Sequence, residues 1–308
     1  GIVRLALPLA PASVEAAAAR WEDIVATTPP IAGSPLRAGG DLATIVYTSG
    51  TTGQAKGVMH SFDSLTSGWL TVRRQLDFSP ADRALSYLPL AHIMERSGLE
   101  LGSLDGGCHL YFAESLDSFV KDLQRARPTV FISVPRLLLK FQQGVLAKMP
   151  APKLDRLLAI PVLGHFVRRK IQKGLGLDAV RVCGSGSAPL SVDLLRWYDR
   201  LGIRLIEGYG MTELASASHM TETGPDWWGT VGRPGDGVDQ RIDPQTGEVQ
   251  VLSPGATLGY YKAPELTAQL FTADGWLRTG DKGEIDAAGR LRLVGRIKDN
   301  FKSSKGKY

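Results

Sequence analysis

The sequence predicts an α/β fold, a layered and mostly parallel sheet with flanking helices, joined to a small distorted β-barrel subdomain. Three observations carry the prediction. Over the first two-thirds of the chain, short apolar β-forming runs alternate with stretches whose apolar residues recur at helical spacing, as in a sheet with helices on its faces. From about Gly229 the texture changes to short runs separated by Gly-rich turns, which suits a small β structure. The 308 residues, 43% hydrophobic and 22% charged, suffice for a large core and more than one subdomain.

Taken in order, the first element is a helix. Val14, Ala18, Trp21 and Val25 share one helical face behind Ser13, whose hydroxyl can cap the free N–H groups of a first turn. A Pro- and Gly-rich link over residues 29–40 leads to a strand at Ile45, Val46 and Tyr47. After the loop that follows, Phe62, Leu65, Trp69 and Val72 again fall on one helical face, behind Ser61. Residues 129–133 read as a buried strand, and Pro135 opens a helix bearing Leu138, Phe141 and Val145, because proline lacks only an N–H that the first turn does not use. In residues 161–177, Leu163, Phe166, Val167 and Ile171 can share a face while Arg168, Arg169, Lys170 and Lys173 form a basic cluster. That stretch suits either a peripheral lipid-surface helix or a solvated helix packed on the sheet. Residues 180–183 and 203–206 read as strands flanking another helix, residues 248–252 and 290–294 as strands of the β-rich part, and residues 286–289 as a hairpin turn.

Residues 47–57 read Tyr-Thr-Ser-Gly-Thr-Thr-Gly-Gln-Ala-Lys-Gly, a run suited to holding phosphate. Gly50 and Gly53 permit positive φ and close backbone approach; Thr48, Ser49, Thr51 and Thr52 offer hydroxyl donors, and Lys56 a mobile cation. A Walker-type loop needs Gly-Lys-Ser/Thr, whereas here the lysine precedes Gly57 and Val58 follows, so this is not the loop of a P-loop NTPase. The run resembles the phosphate-binding signature of the adenylate-forming superfamily, which includes acyl-CoA synthetases, nonribosomal peptide adenylation domains and firefly-type luciferases. Five further segments resemble that family's motifs in its order: residues 87–96 (Tyr-Leu-Pro-Leu-Ala-His-Ile-Met-Glu-Arg), residues 184–190 (Gly-Ser-Gly-Ser-Ala-Pro-Leu), residues 208–213 (Gly-Tyr-Gly-Met-Thr-Glu), residues 276–281 (Trp-Leu-Arg-Thr-Gly-Asp) and residues 295–302 (Gly-Arg-Ile-Lys-Asp-Asn-Phe-Lys).

The resemblance implies roles, and the residue types suit them. Gly186, Ser187 and Ala188 would form the adenine-side turn, and Tyr209, between Gly208 and Gly210, would present a ring face to adenine; an ordinary packed tyrosine is the alternative. Met211, Thr212 and Glu213 complete that segment, with Glu213 beside the Thr212 hydroxyl suited to Mg²⁺ or, alternatively, to a helix first turn. Asp281, on a tight turn, would accept from the ribose hydroxyls or else satisfy its own backbone. Arg296 would bind the same sugar or its phosphate, or be a solvated hairpin-end arginine. His92 would stand at the mouth of the acyl site, with a backbone-bonded loop histidine as the alternative. Lys298 would lie in a hinge, and Lys302 would serve thioester formation.

Together these imply ATP-dependent acyl-adenylate formation followed by transfer to coenzyme A, with catalytic groups Lys56, Thr212, Glu213, His92 and Lys302, and with ATP, Mg²⁺ and coenzyme A as cofactors. Residues 88–96 and 298–308 resemble long-chain fatty acyl-CoA synthetases most, so a long-chain fatty acid is the expected substrate. Cys108 and Cys183 lie in apolar or strand-like surroundings and read as inert, and no Gly-x-Ser-x-Gly elbow occurs. Two cysteines give no disulfide framework, and a net charge of +5 suits anionic substrates and weak contact with anionic lipid. No nucleic-acid partner is expected; the expected location is cytoplasmic, with contact at the inner face of a membrane. The expected organisation is an α/β nucleotide- and acyl-binding region over 1–215, a β-rich subdomain over 216–295 and a hinge over 296–308. By resemblance the chain reads as a central fragment, inactive or nearly so alone. The competing reading is a non-catalytic nucleotide- or lipid-binding remnant.

Overall fold

The computed structural model describes residues 5–6, 19–30, 32–33, 36–49 and 55–297, in two compact units, Gly1–Ala38 and Gly39–Tyr308. The expected positions Ser13, Val14, Ala18, Gly50, Thr51, Thr52, Gly53, Lys298 and Lys302 lie outside the described residues. The first unit holds a parallel pair, β1 (Leu5–Ala6) with β2 (Ala19–Arg20), followed by α1 (Trp21–Thr27). Trp21 and Val25 are exposed on that helix.

The second unit begins with an antiparallel hairpin, β3 (Leu42–Ser49) and β4 (Ala55–Ser61), which frames the phosphate-loop sequence. Helix α2 (Phe62–Leu76) starts where expected: the Ser61 hydroxyl accepts from the Ser64 N–H at 3.1 Å, and Leu65, Trp69 and Val72 face inward. Strand β5 (Arg83–Ser86) pairs in parallel with β6 (His109–Phe112); between them lie a π-helical stretch, Met94–Leu101, and the short α3 (Gly102–Gly106). Then come α4 (Phe119–Ala126), β7 (Val130–Ser133), α5 (Pro135–Lys148), α6 (Ala151–Ala159), α7 (Pro161–Leu175), β8 (Val182–Gly186), α8 (Val192–Arg200), β9 (Leu205–Met211) and β10 (Ser216–Met220). The β-rich remainder comprises β11 (Arg233–Pro234), β12 (Asp239–Ile242), β13 (Glu248–Leu252), β14 (Gly259–Tyr260), α9 (Pro264–Leu270), β15 (Leu277–Ile285) and β16 (Leu291–Arg296).

The largest sheet has strand order β11-β10-β9-β8-β7. Its β7, β8 and β9 run parallel, while β10 and β11 run antiparallel. A parallel pair needs a crossover; β10 follows β9 after only the tight turn at Thr212–Leu214, so it must fold straight back. The parallel expectation therefore holds for the crossover-linked strands only. In place of a barrel, the described residues show an antiparallel sheet ordered β12-β13-β15-β16, with a separate β14-β4-β3 sheet.

The α/β core gathers Phe131, Leu138, Leu154, Tyr198 and Leu201, with the Tyr198 hydroxyl donating to the Leu138 carbonyl at 2.8 Å. The β-rich core joins Val249, Val251, Leu277 and Leu291 to Val58 of β4 and to Leu214. On α7 the expected apolar face divides: Val167 and Ile171 pack on the core, whereas Leu163 and Phe166 are exposed. Arg168 and Arg169 bond to the Arg200 and Asp178 carbonyls, so helix packing orients the start of the basic cluster.

Candidate nucleotide-binding site

The C-terminal ends of β8 and β9, where ligands of open α/β sheets bind, carry the central motif residues. Gly186 ends β8. A Cβ there would stand 2.7 Å from the Met94 side chain and 2.9 Å from the Gly208 carbonyl, so the two strands approach more closely than any other residue allows. Ser187 then takes a left-handed conformation, φ 70°, which turns the chain away from the sheet. Gly210 has the same logic on β9: a Cβ would lie 1.8 Å from the Ser216 carbonyl.

Beyond these ends is a cavity of about 260 Å³, lined by Ser187, Ala188, Gly208, Tyr209, Gly210, Asp281 and Arg296, with Pro189, Glu207, Val231, Leu293 and Gly295 completing it. Asp281 on β15 pairs across the sheet with Arg296 on β16, and the Arg296 Nε approaches one carboxylate oxygen at 3.2 Å. The Tyr209 hydroxyl donates to the other oxygen at 2.8 Å. Burial and the adjacent Asp281 charge push the Tyr209 phenol well above its ordinary pKa, so it stays protonated and donates to Asp281. Asp281, a lining residue of the cavity, is thus held between the Tyr209 hydroxyl and the Arg296 guanidinium.

Next to the cavity, His92 Nδ1 accepts the Met94 N–H at 3.3 Å, and its Nε2 lies 3.5 Å from the Ser187 hydroxyl. An acceptor at Nδ1 fixes the neutral tautomer with its proton on Nε2, facing Ser187. Desolvation lowers the pKa of this ring and favours that neutral form. Glu95 of the same motif is buried and bonds to the Ser86 hydroxyl; burial raises its pKa.

A second cluster gathers Lys56, Thr212 and Glu213. The buried His60 donates from Nε2 to the Thr212 carbonyl at 2.7 Å, and its Nδ1 meets the Ser64 hydroxyl at 3.0 Å. The Tyr260 hydroxyl donates to Glu213 Oε1 at 2.6 Å, and Lys56 Nζ lies 5.0 Å from the Tyr260 ring centroid, a cation–π distance. Thr48 is the cross-strand partner of Lys56, and Ser49 that of Ala55. None of Lys56, Thr48, Ser49, Met211, Thr212 or Glu213 lines that cavity; Met211 packs against the β-rich core. Among the described residues no group of three or more His, Cys, Asp or Glu could hold a metal. Glu213 is nonetheless compatible with Mg²⁺, which needs as few as one carboxylate beside water and substrate phosphate, and Tyr260 engages only one of its oxygens.

Three further residues emerge only from the structure. Glu207 lines the cavity, accepts the Leu190 N–H at 2.9 Å, and has its pKa pushed up to about 7 by burial. A lone glutamate in the apolar strand Leu205–Met211 is a signal that sequence reading could have used. Tyr260 and His60 carried no such signal, because only the folding of β4 and β14 against the Thr212 turn gives them a role. Cys183 is buried with its thiol pushed up to about 12, inert as expected, and Cys108 is half-buried. No helix among the described residues is long and apolar enough to cross a membrane.

Residues 6–261 match the family of AMP-binding enzymes. The chain is 34% identical over 300 residues to long chain acyl-CoA synthetase 7, peroxisomal, of Arabidopsis thaliana, covering 87% of this chain and 43% of that one. It is 32% identical over 301 residues to long-chain-fatty-acid–CoA ligase 5 of Rattus norvegicus, covering 87% of this chain and 44% of that one. The chain therefore spans about half the length of the curated relatives it matches. Among solved structures, ATP-bound MatB from Rhodopseudomonas palustris is similar with a TM-score of 0.73 and 30% identity, covering 94% of this chain and 57% of that one.

Proposed function

The chain belongs to the family of AMP-binding enzymes, and from that premise we propose that its whole protein is an ATP-dependent acid–thiol ligase. In this reading it adenylates a long-chain fatty acid and passes the acyl group to coenzyme A. The observation that supports this most is the meeting of Ser187, Tyr209, Asp281 and Arg296, from four separate motifs, around one cavity. They offer what a nucleoside needs: a flat ring face, a carboxylate for the ribose hydroxyls and a fixed cation. The long-chain preference is supported by the relatives, which are long-chain acyl-CoA synthetases.

Tyr209 stacks on adenine, and Asp281 accepts from the ribose hydroxyls while Arg296 holds it in place. Lys56, the hydroxyls of Thr48 and Ser49 and the loop of Gly50, Thr51, Thr52 and Gly53 grip the outer phosphates. Glu213 with Thr212 would hold Mg²⁺, which offsets phosphate charge when bound. An oxygen of the fatty acid carboxylate, approaching past His92, bonds to the α-phosphorus and pyrophosphate leaves with the electron pair. The thiol of coenzyme A then bonds to the acyl carbon, and AMP leaves as the thiol proton is released. Neither step needs a protein nucleophile, and repulsion between the two approaching anions is the barrier these groups offset. Lys302 is assigned to the second step. We place the organising boundaries at 215/216 and 295/296, with residues 296–308 as a hinge, and the protein in the cytoplasm with contact at the inner face of a membrane.

Acid-dependent exchange of pyrophosphate into ATP by the full-length protein tests this. Exchange should appear with palmitate and not with acetate, and Asp281→Ala should weaken ATP binding by about tenfold or more, as expected for lost charged hydrogen bonds. ATP binding without exchange for any carboxylic acid would favour the non-catalytic nucleotide-binding reading.

A further inference from the structure

A larger cavity lies elsewhere. It measures about 820 Å³, within the range of about 300 to 1,000 Å³ usual for small-molecule sites, and shares no lining residue with the cavity at Tyr209 and Asp281. Its floor is apolar and its deepest members are buried: Phe119, Phe141 and Leu175, with Leu137 beside them. Its four cations, Arg136, Lys140, Lys148 and Lys170, are all exposed and so stand at the mouth, and no Asp or Glu lines it.

We propose that this cavity, between α4, α5 and α7, binds a single-chain amphiphile tail-inward, with its anionic head at Arg136, Lys140, Lys148 and Lys170. The polarity sets it apart from the reacting acid. A fatty acid being adenylated must bring its carboxylate to the nucleotide, beside His92 and Ser187, whereas this cavity attracts the anionic head to its outer rim. A molecule held here is therefore not in a reactive orientation, and the site is a second one, for loading or for control by an acyl-bearing anion. Apolar burial supplies affinity for the tail, and the unopposed positive rim selects the head. The inference goes beyond the ligase reading and does not depend on it.

Gly144 provides a clean probe. It lies inside α5 and lines the cavity, and a Cβ there meets nothing within 4 Å, so a large side chain fills the space without a backbone clash. Calorimetric titration of the full-length protein with dodecanoate, dodecyl phosphate and dodecanol makes the test. Both anions should bind, the tighter one identifying the head chemistry, with the alcohol weaker. A Lys140→Glu/Lys148→Glu variant should weaken the anions by about tenfold. Gly144→Trp should weaken all three by at least about tenfold, with Gly144→Leu as a milder filler should the tryptophan variant fail to fold. AMP binding should be unchanged in every variant, and the KM for dodecanoate in the Gly144 variants should stay within about twofold of the parent. The proposal is overturned if the alcohol binds as tightly as the anions or if filling the cavity leaves affinity intact. It is equally overturned if KM rises in step with Kd, which would make this the path of the reacting acid. Absent turnover would count against the ligase reading alone, because the binding measurements stand without it.

Discussion

Replacing Glu207 by Gln should make the protein more stable at pH 8 and barely alter it near pH 4.5. Glu207 is buried between the Leu190 N–H, which its Oε1 accepts at 2.9 Å, and Thr221, whose hydroxyl accepts from the Glu207 backbone N–H at 2.8 Å. No cation offsets the loss of hydration, so burial pushes the carboxyl up to about 7 against only the weak opposing effect of the Leu190 hydrogen bond. In the unfolded chain it returns to an ordinary glutamate. Between roughly pH 4.5 and 7 the folded state therefore binds more protons than the unfolded state, and stability falls as pH rises through that window. The gap corresponds to on the order of 3 kcal/mol of stability lost by pH 8. Glutamine cannot titrate and still accepts from Leu190. The stability of Glu207→Gln minus that of the parent, measured by urea denaturation from pH 4.5 to 8, should thus climb from near zero to on the order of 3 kcal/mol. A difference that stays flat with pH, or a variant less stable at pH 8, would refute the reasoning. Every other titrating group is common to both proteins and cancels.

His219 should act in the opposite direction: buried between Ser218 and Gln240, its pKa is pushed down to about 4, so its contribution is present above pH 6.5 and lost as pH falls toward 4. Relative to His219→Asn, the parent should lose on the order of 3 kcal/mol across that window in denaturant titrations. Leu138→Ala, at a fully buried position, should lower stability by about 2 to 5 kcal/mol in the same assay at pH 7.5. Gly210→Ala should cost at least about 1 kcal/mol and weaken nucleotide binding measured by calorimetry, because the new Cβ forces β9 away from Ser216.

Where local rules decide, the sequence was readable. Pro135 opens α5, Ser61 caps α2, and the run at Glu248–Leu252 forms β13, since each depends on neighbours within a few residues. How the apolar face of α7 is covered depends on a distant partner, and the sequence left it open. Leu163 and Phe166 share a helical spacing with Val167 and Ile171, yet only the latter pair meets the core, because periodicity describes a face without saying how wide a neighbour covers it. The strand after the Gly-Tyr-Gly segment is antiparallel for a local reason, because a short turn leaves no room for a crossover.

The order of the motifs, their donor types and the placement of Tyr209 between two glycines were set by the sequence alone, because such groups are contiguous in the chain. Only the tertiary structure decided that Tyr209 and Asp281, 72 residues apart, share a hydrogen bond at 2.8 Å. It also decided that Glu207 lies dehydrated beneath the same cavity and that four cations ring a second, apolar one. Burial and convergence depend on which surfaces the sheets and helices cover, and one residue's neighbours in sequence do not specify that.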